Sequence, residues 1–147
     1  MKILIVNGPN LNMLGQREPG IYGTRSLADL ENFLKEEAKK AGVKVSFFQS
    51  NHEGALIDRL QKASQFDGII LNAGGYTHTS IAIRDTIATL SVPVIEIHIS
   101  NIYSREDFRC NSMLSAVCKG VIAGLGLEGY LIAMQYFVRN KRTAIVR

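Results

Sequence analysis

Short apolar runs alternate along the chain with segments whose apolar residues recur every three or four positions. Such runs are typical of strands buried on both faces, and such spacing is typical of amphipathic helices. The predicted strands span residues 3–6, 43–49, 68–71, 92–99 and 120–123, and the predicted helices span residues 27–41, 53–64, 80–90 and 127 to about 139.

The first long helix has the clearest boundaries. Ser26 is a suitable N-cap, and Asp29 occupies the third helical position, as in a capping box. Gly42 directly follows the last residue of the periodic pattern and predicts the end of the helix.

The alternation of strands and helices predicts an α/β fold, with a parallel sheet covered by helices on both faces. For five strands we expect the flavodoxin-like three-layer sandwich with strand order 2-1-3-4-5. Ligands of such sheets bind beyond the carboxyl ends of the strands. The candidate site therefore lies just after residues 6, 49, 71, 98 and 123.

The positive charge is confined to one end of the chain. The net charge of the 147 residues is +4, but residues 139–147 hold four basic side chains and no acidic ones, so residues 1–138 carry 13 of each sign. Nucleic-acid binding needs a basic face on the domain itself, and we expect none here. We predict one domain over residues 1–138 and a basic C-terminal tail over residues 139–147, solvated and dispensable for chemistry.

Other composition features predict a cytoplasmic protein without metal or membrane. No apolar stretch approaches the about 20 residues of a membrane span, and the apolar run near the N-terminus is shorter than the about 7–15 residues of a signal peptide. Cys110 and Cys118 form no CxxC pair and have no histidine cluster beside them. We expect free thiols in a reducing compartment.

Chemistry-bearing residues follow strands one, three and four. Asn7 to Asn10 form the segment NGPN, and residues 72–80 read NAGGYTHTS. In strand four, alternation places Glu96, His98 and Ser100 on one face. A carboxylate two positions from a histidine can fix its tautomer, which predicts an oriented acid/base histidine; a purely structural pair is the alternative. The residue types favour proton transfer on an organic substrate without cofactor.

One motif points elsewhere. Gly124, Gly126 and Gly129 match GxGxxG between a strand and a helix, as in dinucleotide-binding proteins. That fingerprint also needs a second strand and an acidic residue about 20 positions on, and no acidic residue follows Gly129. We interpret the glycines as allowing a tight turn and close packing of the last helix.

Residues 12–25 form a long loop beside the site and are a candidate lid. The loop carries Arg17, Tyr22 and Arg25, and its glycines at 15, 20 and 23 are possible hinges. The alternative is a surface loop with solvated charges.

Taken together, the ordered segments resemble a known enzyme family. They read NGPNLNMLGQREPGIYG, QSNHEG, LNAGGYTHTSIAIRD, PVIEIHISN, REDFR and GVIAGLGLEGY. From residue 2 to about residue 138, the chain resembles type II 3-dehydroquinate dehydratase. The alternative is a flavodoxin-like binding module that has lost catalysis.

The resemblance implies a hydro-lyase of the shikimate pathway and of aromatic amino acid biosynthesis. Such an enzyme removes water from 3-dehydroquinate by anti elimination through an enolate and gives 3-dehydroshikimate. It uses no metal, no Schiff base and no cofactor. The family resemblance further implies a homododecamer built as a tetramer of trimers.

It also implies roles for individual residues. Tyr22 would be the base, activated by Arg17, and His98 would be the acid, oriented by Glu96. Asn10 would hold a water that stabilises the enolate oxygen. The implied substrate-binding residues are Asn72, His78, Ile99, Ser100 and Arg109, together with Asp85, which would reach the site of a neighbouring subunit.

Overall fold

The computed structural model describes residues 1–16 and 18–145, apart from the side chains of residues 19, 22 and 142–145. Short 3-10 turns connect several of the elements. The strands are β1 (Lys2–Asn7), β2 (Lys44–Gln49), β3 (Gly68–Asn72), β4 (Val94–His98) and β5 (Gly120–Ala123), and the helices are α1 (Pro19–Tyr22), α2 (Leu27–Ala41), α3 (Glu53–Gln61), α4 (Ile81–Thr89) and α5 (Glu128–Ile145).

The five strands form one parallel sheet in the order β2-β1-β3-β4-β5. Alternate residues of β1 point to opposite faces: Ile3 and Ile5 pack in the core beneath α2 and α5, while Leu4 and Val6 pack in the core beneath α3 and α4. All four side chains are fully buried, as expected for strands covered on both faces. The predicted flavodoxin-like fold and strand order are confirmed.

Helix α2 has the predicted boundaries. The Ser26 hydroxyl accepts the backbone N–H of Asp29 at 3.1 Å, and the Asp29 carboxylate accepts the backbone N–H of Ser26 at 2.8 Å. Gly42 ends the helix in the left-handed conformation, with φ of 69°. The capping box and the C-terminal glycine therefore act as the sequence predicted.

Two other elements have boundaries that differ from the prediction. Helix α3 ends at Gln61 rather than residue 64, and β4 begins at Val94 rather than residue 92. Pro93, which lacks a backbone N–H, directly precedes β4 and explains its later start. None of the described helices is long and apolar enough to cross a membrane.

The last helix departs most from the prediction. Helix α5 runs to Ile145 instead of ending near residue 139, because no glycine or proline follows Gly129 to interrupt it. The Lys141 ammonium lies 2.9 Å from the Asp67 carboxylate, so this charge is paired rather than only solvated. The side chains of Arg142 and Arg147 lie outside the described part of the chain.

Candidate active site

A cleft of about 150 Å³ opens at the carboxyl ends of β1, β3 and β4, where the fold predicted a site. This volume is below the roughly 300–1,000 Å³ of sites for drug-sized ligands, which favours a small substrate. The predicted site residues that line the cleft are Asn10, Asn72, His78, His98, Ile99, Ser100 and Arg109. The cleft also contains Arg105 and an apolar wall of Leu11, Met13, Leu14 and Ile102.

The loops after β1 and β3 are packed backbone against backbone. The Gly8 N–H donates to the Asn72 carbonyl at 2.7 Å, and a β-carbon at Gly8 would lie 2.5 Å from the Ala73 carbonyl oxygen. Asn10 has a left-handed backbone, with φ of 69°, and its N–H donates to the Asn51 side chain at 3.0 Å. These contacts place Asn10 and Asn72 on the same side of the cleft.

The side chain of Asn72 is fixed from both ends. Its Nδ2 donates to the Tyr130 hydroxyl at 2.8 Å, and its Oδ1 accepts the Gly74 backbone N–H at 3.2 Å. The Tyr130 hydroxyl donates in turn to Asn7 Oδ1 at 2.7 Å. Burial raises the pKa of Tyr130 well above its ordinary value, so the hydroxyl stays neutral and can keep donating.

His98 is held by the predicted carboxylate. Its Nε2 lies 2.6 Å from Glu96 Oε1, and both side chains are buried, with 6% and 0% exposed. Two hydroxyls complete the acceptor contacts of the carboxylate: Ser112 donates to Oε1 at 2.8 Å, and Ser115 donates to Oε2 at 2.7 Å. The adjacency of Glu96 and His98 follows from their alternate positions in β4.

The surroundings of Glu96 favour its ionised form. Burial acts to raise the pKa of Glu96, but the hydrogen bonds from His98 and Ser115, the charge of a protonated His98 and the hydrogen bond from Ser112 outweigh it. The pKa of Glu96 therefore lies below its ordinary value. An ionised Glu96 can only accept a hydrogen bond, so His98 must carry its proton on Nε2.

His78 approaches from the turn after β3. Its ring stacks near that of His98, with centroids 6.3 Å apart and planes 22° apart, and its Nδ1 lies 2.8 Å from the Asn111 carbonyl. The Asn111 carbonyl can only accept, so it selects the tautomer with the proton on Nδ1. Nε2 is then the ring nitrogen available to a ligand.

Two arginines supply positive charge to the cleft. The Arg109 guanidinium lies 2.8 Å from the Glu106 carboxylate, which is also 3.6 Å from Arg105. Arg105 further donates to the Ser100 hydroxyl at 3.2 Å. With 10% and 19% of their side chains exposed, Arg105 and Arg109 are substantially withdrawn from water, where their charge acts more strongly on an anion.

Of three further predicted residues, two lie outside the described part of the chain and one is placed away from the cleft. Arg17 and the side chain of Tyr22 lie outside the described residues. Asp85 is exposed on α4, where it pairs with Arg84 at 3.2 Å. No group of three or more His, Cys, Asp or Glu side chains suited to a metal ion occurs within the described parts of the chain.

The glycine-rich motif near the C-terminus has a packing role. Gly124 and Gly126 adopt φ of 84° and 59°, which turn the chain between β5 and α5. A β-carbon at Gly129 would lie 3.4 Å from Ile122, so this glycine brings α5 close to the sheet. The geometry agrees with the interpretation of a tight turn and close helix packing.

Several site residues were not predicted from the sequence. Asn7 stands in the predicted NGPN segment and Tyr130 in the GLEGY segment, but neither was given a role. Arg105 likewise begins the REDFR segment and was given no role. Ser112 and Ser115 lie in a stretch without regular periodicity, and the one signal for them was that a buried carboxylate needs hydrogen-bond donors for both of its oxygens.

Comparison with known proteins gives a consistent match. A sequence profile described as "Dehydroquinase class II" matches residues 1–138. A protein of Bacillus mycoides named 3-dehydroquinate dehydratase is 56% identical over 144 residues, which cover 97% of this chain and 99% of that relative. Another of the same name, from Bacillus pumilus, is 54% identical over 136 residues, 92% of each chain.

Solved structures agree with the sequence match. The type II dehydroquinase of Butyrivibrio crossotus superposes with a TM-score of 0.92 at 49% identity, over 93% of this chain and 97% of that chain. That of Propionibacterium acnes gives a TM-score of 0.91 at 41% identity, over 94% and 96%. The predicted enzyme class, a hydro-lyase, is confirmed by the names of the relatives. By sequence and by fold, the chain belongs to the type II dehydroquinase family.

Proposed function

We propose that this chain is a 3-dehydroquinate dehydratase that forms 3-dehydroshikimate in the shikimate pathway, by anti elimination of water through an enolate. The observation that carries the proposal is the His98–Glu96 pair at the cleft, in a chain more than half identical to relatives of that name. The reaction needs one group that removes a proton from C2 and another that protonates the hydroxyl leaving C1.

His98 is the proposed acid. Because Nε2 is engaged by Glu96, Nδ1 is the nitrogen left to donate a proton to the departing hydroxyl. Donation requires the doubly protonated ring, which the adjacent carboxylate stabilises.

Tyr22 is the proposed base, and Arg17 its activator. A free tyrosine has a pKa of about 10, so only about 0.1% is ionised at pH 7. Lowering that pKa by about three units requires roughly 4 kcal/mol of stabilisation of the tyrosinate. One close arginine in a water-excluded site can supply much of it, so we propose that the loop of residues 12–25 acts as a lid.

The remaining cleft residues are proposed to hold the substrate. Asn72 and the Ile99–Ser100 segment would bind its carboxylate, while His78 and Arg109 would bind ring hydroxyls. Asn10 would hold a water at the enolate oxygen. The two cleft arginines support this proposal, because Arg105 and Arg109 share one carboxylate, that of Glu106, and both line the cleft, where guanidinium groups suit an anionic ligand.

We also propose that the chain works in the cytoplasm as a homododecamer made of four trimers. Asp85 is exposed on α4 and does not line the cleft of its own chain. That location supports a role for Asp85 in the cleft of a neighbouring copy. The molecular mass in solution tests the assembly.

One assay tests the activity. Purified chain and 3-dehydroquinate should give a conjugated enone, followed by its ultraviolet absorbance, and Tyr22→Phe and Arg17→Ala should each abolish turnover while leaving the assembly intact. Folded wild-type chain without product above background would contradict the proposal and favour a binding module. Near-normal turnover by Tyr22→Phe would remove Tyr22 as the base.

A further inference from the structure

Two serines that have no role in the proposed reaction enclose the carboxylate behind His98. Ser112 and Ser115 lie in the segment between β4 and β5, and their hydroxyls contact the two different oxygens of Glu96 at 2.8 Å and 2.7 Å. Neither serine lines the cleft. The two hydroxyls therefore act on a bound ligand only indirectly, and Glu96 is the charged group that both of them contact.

The direction of the Ser112 hydrogen bond is fixed by its other contacts. Its hydroxyl oxygen accepts two backbone N–H groups, those of Leu114 and Ser115, each at 3.0 Å. A hydroxyl has two acceptor positions and one proton, so both acceptor positions are occupied. The Ser112 proton can only be donated, and Glu96 Oε1 is the acceptor within reach.

Glu96 is consequently surrounded by donors. Oε1 accepts from Ser112 and from His98 Nε2, and Oε2 accepts from Ser115. A proton on Oε1 would oppose the fixed Ser112 donor, and a proton on Oε2 would remove the Ser115 bond unless that hydroxyl turned to accept. Since the Glu96 side chain is fully buried, no bulk water could compensate for either loss.

Other titratable groups near the carboxylate do not replace these donors. The His78 ring stacks near the His98 ring, with centroids 6.3 Å apart, and Cys118, two residues before β5, is close enough to be affected by the charge of Glu96. Burial and the charge of Glu96 raise the pKa of Cys118 to about 12, so it remains a neutral thiol at working pH. The two hydroxyls and His98 are the groups within hydrogen-bond distance of the carboxylate in the described structure.

We infer that Ser112 and Ser115 are positioning residues that keep Glu96 an ionised acceptor and thereby fix the proton of His98 on Nε2. Their role rests on the proposed function, in which His98 is the acid. Without the two donors, a proton shared by Glu96 and His98 shifts toward Glu96. A smaller fraction of the enzyme then has the ionised Glu96 and protonated His98 that the elimination requires.

The test compares the pH dependence of kcat in the wild type and in the double variant Ser112→Ala/Ser115→Ala. We expect the acid limb to move up by about one pH unit, and kcat on the plateau to fall by about tenfold. The titration of Glu96 is read separately from the infrared band of the protonated carboxyl group, assigned by its absence in Glu96→Gln. Its midpoint should move up with the acid limb.

Three further variants separate this role from lost stability. Thr86→Val removes a buried hydroxyl that bonds only within α4, and both pH readouts should stay at their wild-type values. Ser115→Thr keeps the hydroxyl and should retain the wild-type acid limb, whereas Ser115→Ala should show part of the shift. If the double variant does not fold, the two single variants at Ser115 decide the outcome.

An unchanged infrared midpoint together with an unchanged acid limb would overturn the inference, as would equal shifts in Ser115→Thr and Ser115→Ala. The infrared measurement needs no substrate. The two proposals can therefore fail separately. A wild type that is inactive on 3-dehydroquinate would contradict the proposed function. If its Glu96 midpoint still depended on Ser112 and Ser115, the effect of the serines on Glu96 would nevertheless be supported.

Discussion

His98 Nε2 lies 2.6 Å from Glu96 Oε1, and the carboxylate that makes this contact has no exposed surface. The two residues are neighbours on one face of β4, so the strand itself sets their distance. The contact leaves Nδ1 of His98 as the nitrogen that can act in the cleft.

The ionisation of Glu96 should stabilise the fold. The pKa of Glu96 is lower in the folded chain than in the unfolded chain, where it is about 4.3. The ionised carboxylate therefore adds to the free energy of unfolding above about pH 4.3. This added stability is lost as the pH falls through the lower pKa of the folded chain. Glu96→Gln places an amide NH₂ against hydroxyl donors, and we expect it to lower the free energy of unfolding at pH 7 by about 1–3 kcal/mol. Urea denaturation between pH 7 and about pH 3 measures the free energy of unfolding of both proteins. The difference between the wild type and Glu96→Gln should become smaller as the pH falls.

The control for this measurement is Glu36→Gln, which changes an exposed carboxylate on α2. Its free energy of unfolding should stay within about 0.5 kcal/mol of the wild type at every pH. A Glu96→Gln difference that did not narrow in acid would mean that ionised Glu96 contributes nothing to folding.

Removing the Tyr130 hydroxyl should weaken substrate binding more than turnover. Tyr130→Phe keeps the buried ring but deprives Asn72 of an acceptor and Asn7 of a donor, so the Asn72 amide loses its fixed orientation. We expect KM to rise about tenfold with kcat within about twofold, and stability to fall by about 1–3 kcal/mol. Steady-state kinetics check the split between KM and kcat.

Tyr136→Phe is the matched control, because Tyr136 lies on the same helix and is 37% exposed. Both KM and stability should remain close to the wild type. An equal loss of kcat and kcat/KM in Tyr130→Phe would show that the hydroxyl acts in the transition state rather than in positioning Asn72.

Two glycine-to-alanine substitutions should have different effects on the stability of the fold. A β-carbon at Gly8 would lie 2.5 Å from the Ala73 carbonyl oxygen, so Gly8→Ala must push the loop of Asn10 away from the end of β3, where Asn72 lies. We expect a loss of about 1–3 kcal/mol in stability and a higher KM. Gly54 lies on α3 with open space around it. Gly54→Ala should leave KM unchanged and should leave stability unchanged or raise it by up to about 1 kcal/mol. Equal behaviour of the two variants would contradict the close packing of the loops.

The two cysteines should differ in reactivity. Cys110 is exposed, whereas Cys118 is half-buried and its pKa is raised to about 12 by burial and by the charge of Glu96. The thiolate is the reactive form, so we expect iodoacetamide at pH 8 to modify Cys110 and to leave Cys118 unmodified for hours. Peptide mass spectrometry of the native chain checks this. Modification of both at similar rates would mean that the segment around Cys118 opens readily.

Local patterns were enough to predict the fold and part of the site. The capping box at Ser26 and the apolar runs fixed the elements, and the alternation in β4 placed Glu96 beside His98, because all these relations lie within a few residues. The contacts of Tyr130 with Asn72 and of Ser115 with Glu96 span 58 and 19 residues. Nothing in the local sequence specifies them, since tertiary packing brings the partners together.

The length of α5 shows a different limit. The end of the family resemblance near residue 138 suggested a tail, but helical propensity continues through residues 139–145 and Lys141 finds Asp67 across the surface. A change in charge composition therefore did not mark a change in structure. The roles of Tyr22 and Arg17 remain predictions from the family resemblance.

We propose that this chain dehydrates 3-dehydroquinate by anti elimination. The most direct measurement uses 3-dehydroquinate carrying deuterium at C2 on the face opposite the C1 hydroxyl, with the product analysed by mass spectrometry. We predict 3-dehydroshikimate that has lost the deuterium to solvent. Product that retains the deuterium, or no product from the folded chain, would contradict the account.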